Sequence, residues 1–180
     1  AIPEVLDYFS KEIELKKETL YNCKMVQAQD GVSVESDTLG ALLYPLEGDT
    51  FALDMVIKPE RYHEFGIALH VDKELETGYF LRMNPKNQLV AWNMWPRGEQ
   101  GRYQWQIKGD VPYQIETARK LPKAEEYRVH IIKEKDICVV YINDEIVLST
   151  RMYNHKDGYA GIYVVQGNVK LIQYKEKRSE

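Results

Sequence analysis

Three tryptophans, an arginine and a tyrosine crowd into one short stretch of the chain: Trp92, Trp95, Arg97, Tyr103 and Trp105. An indole offers a flat apolar face, and a guanidinium offers a rigid fork of N–H donors. That pairing suits a ligand ring with a C–H face and a hydroxyl rim, which is the surface of a sugar. Arg82, Asp72 and His70 lie shortly upstream and extend the set. Strand alternation predicts Trp92 and Arg82 on one face of neighbouring strands, near His70 and Asp54. In that arrangement Arg82 supplies the fork, Trp92 the platform and Asp72 an acceptor for hydroxyls. His70 and Trp95 are further contacts, and Arg97 closes the edge from the following loop. The same tryptophans could instead fill the second face of a sheet or anchor that loop.

Other chemistries find little footing. His63, His70, His130 and His155 are not paired at metal-ligand spacing, and no CxxC is present. Asp136, Asn143, Asp144 and Asp157 sit in or beside turn signals, but none has EF-hand spacing, so no dedicated calcium site and no cofactor are expected. The nucleophile elbow Gly-x-Ser-x-Gly and the glycine-rich nucleotide motifs are missing. A hydrolase built on two of the many carboxylates stays open as a weaker alternative.

The elements that would position the aromatic–basic set read as strands. Phe51, Leu53, Met55 and Ile57 alternate with Ala52, Asp54, Val56 and Lys58, and Pro59 is expected to stop the run. Phe65, Ile67, Leu69 and Val71 form a second such row; Tyr79, Leu81 and Met83 a third. After an Asn84-Pro85-Lys86-Asn87 turn, residues 88–95 make a fourth. The second half repeats the rhythm, with a tight hairpin around Asn143-Asp144 and a turn at Gln166-Gly167-Asn168. Residues 96–121 read as a long excursion with short strands, of the kind that often carries function. Residues 3–17 place Leu6, Phe9 and Ile13 at helical spacing behind Pro3, which predicts a short N-terminal helix or linker over 1–19. The whole is expected to be all-β, with residues 20–180 forming one two-sheet antiparallel β-sandwich that hides its strand edges.

Composition supports a globular domain. The chain has 180 residues, 44% hydrophobic and 29% charged, with net charge −4 and no basic block. Nucleic-acid binding through phosphate neutralisation has no support. No run of about 18 apolar residues is available for a membrane helix. The chain opens at Ala1 without a charged and then apolar leader, so no signal peptide is expected; a bacterial extracellular and a cytoplasmic setting both fit. Cys23 and Cys138 could pair or remain as two thiols.

The C-terminal third carries a more specific pattern. Val140-Tyr141-Ile142-Asn143-Asp144-Glu145 runs into Leu148-Ser149-Thr150-Arg151-Met152-Tyr153 and is followed by Gly161-Ile162-Tyr163-Val164-Val165-Gln166-Gly167. This resembles the close of the C-terminal β-sandwich of glycoside hydrolase family 32. Gly78-Tyr79 with Arg82 is similar to the levan-binding family 66 carbohydrate-binding modules. The resemblance implies a concanavalin A-like jelly roll. It also implies a non-catalytic accessory module, a fructan-type ligand and a covalently linked catalytic domain. That family's catalytic motifs, Trp-x-Asn-Asp-Pro, Arg-Asp-Pro and Glu-Cys, are absent, and Trp92-Asn93-Met94-Trp95-Pro96 lacks the acid. The alternative consistent with the same resemblance is a purely structural domain that braces a catalytic propeller.

Overall fold

Period-two alternation of apolar residues turns most of the described residues into antiparallel ladders. A computed structural model describes residues 8–95 and 113–179. The first strands are β1 (Lys11–Glu12), β2 (Thr19–Tyr21), β3 (Lys24–Ala28), β4 (Gly31–Pro45), β5 (Phe51–Arg61) and β6 (Glu64–Val71). Then come β7 (Gly78–Asn84), β8 (Leu89–Trp95), β9 (Tyr113–Gln114) and β10 (Arg119–Lys120). β11 (Tyr127–Glu134), β12 (Ile137–Ile142), β13 (Ile146–Arg151) and β14 (Tyr159–Arg178) complete the chain.

The ladder order is β10-β8-β7-β6-β14-β5-β11-β12-β13, with β4 also on β14 and β2 and β3 on β4. β14 joins the two layers. Its first half pairs with β6, and its second half pairs with β5. Between them the register slips at Val165/Gly167, where Gln166 takes φ 50°. The expected turn at Gln166-Gly167-Asn168 is therefore a bulge inside one long strand, which bends the chain from one layer to the other. Gly167 is required there, because a Cβ would fall 1.8 Å from the Arg61 carbonyl oxygen.

The core lies between the layers. Phe65, Ile67, Leu69, Leu81, Met83 and Trp92 from one side meet Leu53, Met55, Val129, Ile131 and Val140 from the other. Burying that many large side chains at about 25 cal/mol per Å² supplies the main driving force. The hairpin at Asn143-Asp144 forms as expected: both residues take positive φ, 51° and 57°, and Glu145 N donates to Ile142 O. Pro59 does not end β5, which runs on to Arg61. Its ladder with β11 begins only at Ile57, so the missing N–H faces no partner on that side.

The expected N-terminal helix does not extend past Tyr8, and the part of it over 1–7 lies outside the described residues. Lys11 and Glu12 pair with Arg178 and Lys177, and Ile13 N donates to Glu176 O at 3.0 Å. Phe9 is buried against Ala52, Ile132 and Tyr141. From Lys11 on, an open ladder on β14 is preferred to continuing a short, marginal helix. Both cysteines are free thiols, Cys23 half-buried and Cys138 buried.

Candidate functional site

One sheet face that points away from the core is unusually apolar. Ala41, Leu43, Ala68, Val71, Leu75, Phe80 and Tyr163 pack together there, with Tyr21, Leu39 and Trp95 partly covered beside them. The ladder register explains its shape. Reading across the strands, Ala91 faces Arg82, Arg82 faces Gly66, Gly66 faces Tyr163, Tyr163 faces Ala41, and Ala41 faces Tyr21. Small residues thus alternate with large ones along one line. The small positions leave a trough, and the large side chains lean over it. Gly66 is the tightest point: a Cβ there would lie 2.0 Å from the Leu81 carbonyl oxygen and 2.9 Å from the Tyr163 ring.

Across Gly66, Arg82 and Tyr163 converge on Glu64. Arg82 Nη2 donates to Glu64 Oε1 at 2.6 Å, and the Tyr163 hydroxyl donates to Oε2 at 3.0 Å. Burial opposes the charge on Arg82, but the Glu64 hydrogen bond and charge outweigh it and hold the guanidinium protonated. Burial, then the Glu64 charge, pushes the Tyr163 phenol well above its usual range, so it stays a neutral donor. Phe80 meets the Tyr163 ring edge-on, at 5.6 Å between centroids, and fixes its orientation. Trp95, Tyr21, Leu39 and Leu75 complete the walls of a hollow of about 680 Å³. That volume is in the range of small-molecule sites, and the mixture of apolar walls with a few converging polar groups is their usual make-up.

Of the residues expected from sequence, Arg82 and Trp95 line this hollow. Asp72 serves it indirectly. Its Oδ1 accepts from Glu76 N, Thr77 N and Thr77 Oγ1, closing the turn that carries Glu74, Leu75, Glu76 and Thr77 to the rim. An acceptor so occupied shapes the site rather than meeting a ligand. Trp92 is corrected: it is fully buried in the core, pairs across the ladder with Leu81 and faces away from Arg82. It cannot be a platform. His70 is corrected as well, being 3% exposed and turned inward against Phe51. Asp54 sits in the other layer, bound to His130 and Lys177. Arg97, with Tyr103 and Trp105, lies outside the described residues.

Glu64, Phe80, Tyr163 and Tyr21 were missed. Parity would have reached two of them, since Phe80 and Glu64 share faces with Arg82 and Gly66 within their own strands. Tyr163 and Tyr21 required the ladder partners. Among the described residues no three His, Cys, Asp or Glu side chains come together as a metal site.

Comparison with solved structures gives the architecture its relatives. The chain superposes on the CBM66 carbohydrate-binding module from Bacillus subtilis with a TM-score of 0.74 at 17% identity, covering 91% of this chain and 96% of that one. The shared feature is the two-layer antiparallel β-sandwich fold. The VIP36 exoplasmic/lumenal domain, in a Ca2+/Man3GlcNAc-bound form, follows at TM-score 0.61 and 10% identity, with 91% and 84% covered. Domain 4 of AbnA, a GH43 extracellular arabinanase from Geobacillus stearothermophilus, in complex with arabinotriose, matches at 0.53 and 11%, with 92% and 84% covered. No protein-family model matches the sequence, and no curated protein matches it.

Proposed function

We propose that the chain is a non-catalytic carbohydrate-binding module whose outward trough takes a sugar ring between Trp95 and the Arg82–Glu64 pair. The observation that carries this reading is the convergence of Arg82 and Tyr163 on Glu64 beside an aromatic wall. An arginine donor next to a carboxylate acceptor matches a pair of adjacent hydroxyls, each of which both donates and accepts. The fixed pair loses little conformational freedom on binding. The sugar-bound state of VIP36 and the arabinotriose complex of the AbnA domain, each named for its ligand, support the same class of partner.

The finer reading is a fructan-type ligand and a covalently linked catalytic domain of the family 32 kind. It rests on the Val140-Tyr141-Ile142-Asn143-Asp144-Glu145 hairpin and the strand that follows. Calorimetric titration with levan, inulin, fructose, mannan and arabino-oligosaccharides tests both levels. Heat with at least one glycan, abolished or weakened in Arg82→Ala, is the expected result. Heat with levan alone supports the fructan reading. No heat with any glycan overturns the binding role and leaves a bracing domain in its place.

A further inference from the structure

The hollow does not end at Arg82. From β7 the ladder continues through β6, β14 and β4 to β2, and its outward line runs Arg82, Gly66, Tyr163, Ala41, Tyr21. That is four strand spacings, or about 19 Å at roughly 4.8 Å each. The next outward line places Ala68, Gly161 and Leu43 in register beside Gly66, Tyr163 and Ala41. Gly66, Ala68, Gly161 and Ala41 carry no more than a methyl group, so the floor stays low between β6 and β4. The Tyr163 ring leans back over Gly66, with its hydroxyl on Glu64, and leaves the Ala41 side to Tyr21.

At the β2 end the walls change character. Tyr21, Leu39 and Val165 line the same hollow of about 680 Å³ as Arg82 and Glu64, and all three are only partly buried. Leu39 and Val165 are ladder partners, and Tyr21 stands on the strand beyond. Asn22 follows Tyr21 at φ 48°, and its Nδ2 donates to Thr38 Oγ1 at 2.6 Å and to the Leu39 carbonyl oxygen at 2.9 Å. These bonds clamp the end of β2 onto β4 and fix where the Tyr21 ring stands. A fixed aromatic ring beside two aliphatic side chains, left partly open to solvent, suits the C–H face of a sugar.

A single ring seated at the Arg82–Glu64 pair leaves this end of the hollow bare. We propose that the trough holds an oligosaccharide chain of at least three units, with Tyr21 as a second platform for a ring remote from Arg82. This rests on the carbohydrate-binding reading of the same hollow. Arg82 leans one strand inward to reach Glu64 on β6, and Tyr21 packs against the cluster that holds Ala41 and Leu43 on β4. Two strand spacings, about 10 Å, therefore separate the two contact points. One ring does not span that distance; two rings with a unit between them do. The polar end reads the hydroxyls of one unit, while the apolar end grips a later unit without demanding a hydroxyl pattern.

Calorimetric titration of the intact chain with fructo-oligosaccharides and manno-oligosaccharides of one to five units, in wild type, Tyr21→Ala and Tyr21→Phe, tests this. In the series that binds, affinity is expected to rise at least about tenfold from the monosaccharide to the pentasaccharide. Tyr21→Ala is expected to bring the two to within about threefold of each other, and Tyr21→Phe to keep most of the gain. Equal affinity at every length, or a gain that survives in Tyr21→Ala, overturns the second platform and leaves the single-ring reading standing. No heat with any member of either series removes both. If Tyr21→Ala does not fold, the wild-type length series decides together with the Tyr21 ring-proton shifts. Those are expected to move saturably with the pentasaccharide and not with the monosaccharide, and the reverse or no movement overturns the proposal.

Discussion

At the scale of single residues, the trough depends on a few atoms whose roles can be separated. Arg82→Ala removes the only cation among the described residues of the lining and leaves Glu64 with the Tyr163 hydrogen bond. Glycan affinity is expected to fall by about 1–3 kcal/mol, with the melting temperature little changed, since the Arg82 side chain is 38% exposed. Tyr163→Phe is a positioning change. It leaves Arg82 in place but frees one Glu64 oxygen, so affinity should drop less than in Arg82→Ala, and calorimetry can rank the two. Trp92→Ala behaves differently. A fully buried indole on the core side of β8 is expected to cost about 3–5 kcal/mol of stability in chemical denaturation. Equal stability with lost sugar binding in that variant would contradict the placement of Trp92.

The opposite layer carries a pH-dependent cluster. His130 Nδ1 donates to Asp54 Oδ1 at 2.6 Å, and Lys177 Nζ lies 2.8 Å from Oδ2. The hydrogen bond with Asp54 raises the His130 pKa above its ordinary 6.5 against the effect of burial. Its contribution is therefore complete below 6.5 and is lost as pH climbs through the folded value. For Asp54 burial alone would raise the pKa, but the hydrogen bonds from His130 and Lys177 outweigh it and leave it below 3.8. That contribution holds above 3.8 and is lost as pH falls through the folded value. The cluster therefore stabilises most between about pH 4 and 6.5. Denaturation midpoints measured across pH should decline above that window in the wild type and lose most of that slope in His130→Asn. An unchanged slope would remove His130 as its source.

At the scale of elements, turns and alternation were legible, and cross-strand register was not. Apolar alternation marked β5, β6, β7, β8, β11 and β12, because each has one face on the core. The Asn143-Asp144 hairpin was legible because few residues accept positive φ at two successive positions. Replacing Asp144 by Gly should stabilise the protein by about 1 kcal/mol or less, and by Val should destabilise it, which thermal denaturation can order. What alternation could not show is which residues of two strands share a face. Leu81, not Arg82, is the partner of Trp92, because the turn between Asn84 and Leu89 pairs odd numbers with even ones. Counting within single strands placed both on one side, and the register separates them. The N-terminal stretch misled for another reason. Its helical spacing is a local preference, and the pairing with Arg178 and Lys177 is a long-range one that sequence separation hides.

At the scale of the whole molecule, the second apolar face follows from β14. By passing from one layer to the other at Gln166, it places Tyr163 on the outward side of the first layer and Leu171 in the core. Gly167→Ala should therefore damage the site and the fold together, since the added Cβ has no room beside Arg61. Gly66→Ala should strain the trough floor in the same way, through the Leu81 carbonyl. The most direct test of the account is amide and indole chemical-shift mapping of the intact chain during titration with fructo-oligosaccharides and manno-oligosaccharides. The account predicts saturable shifts at Glu64, Gly66, Arg82, Tyr163 and the Trp95 indole, with the His130 layer unmoved. Saturable shifts confined to that other layer, or no shift with any glycan, would contradict it.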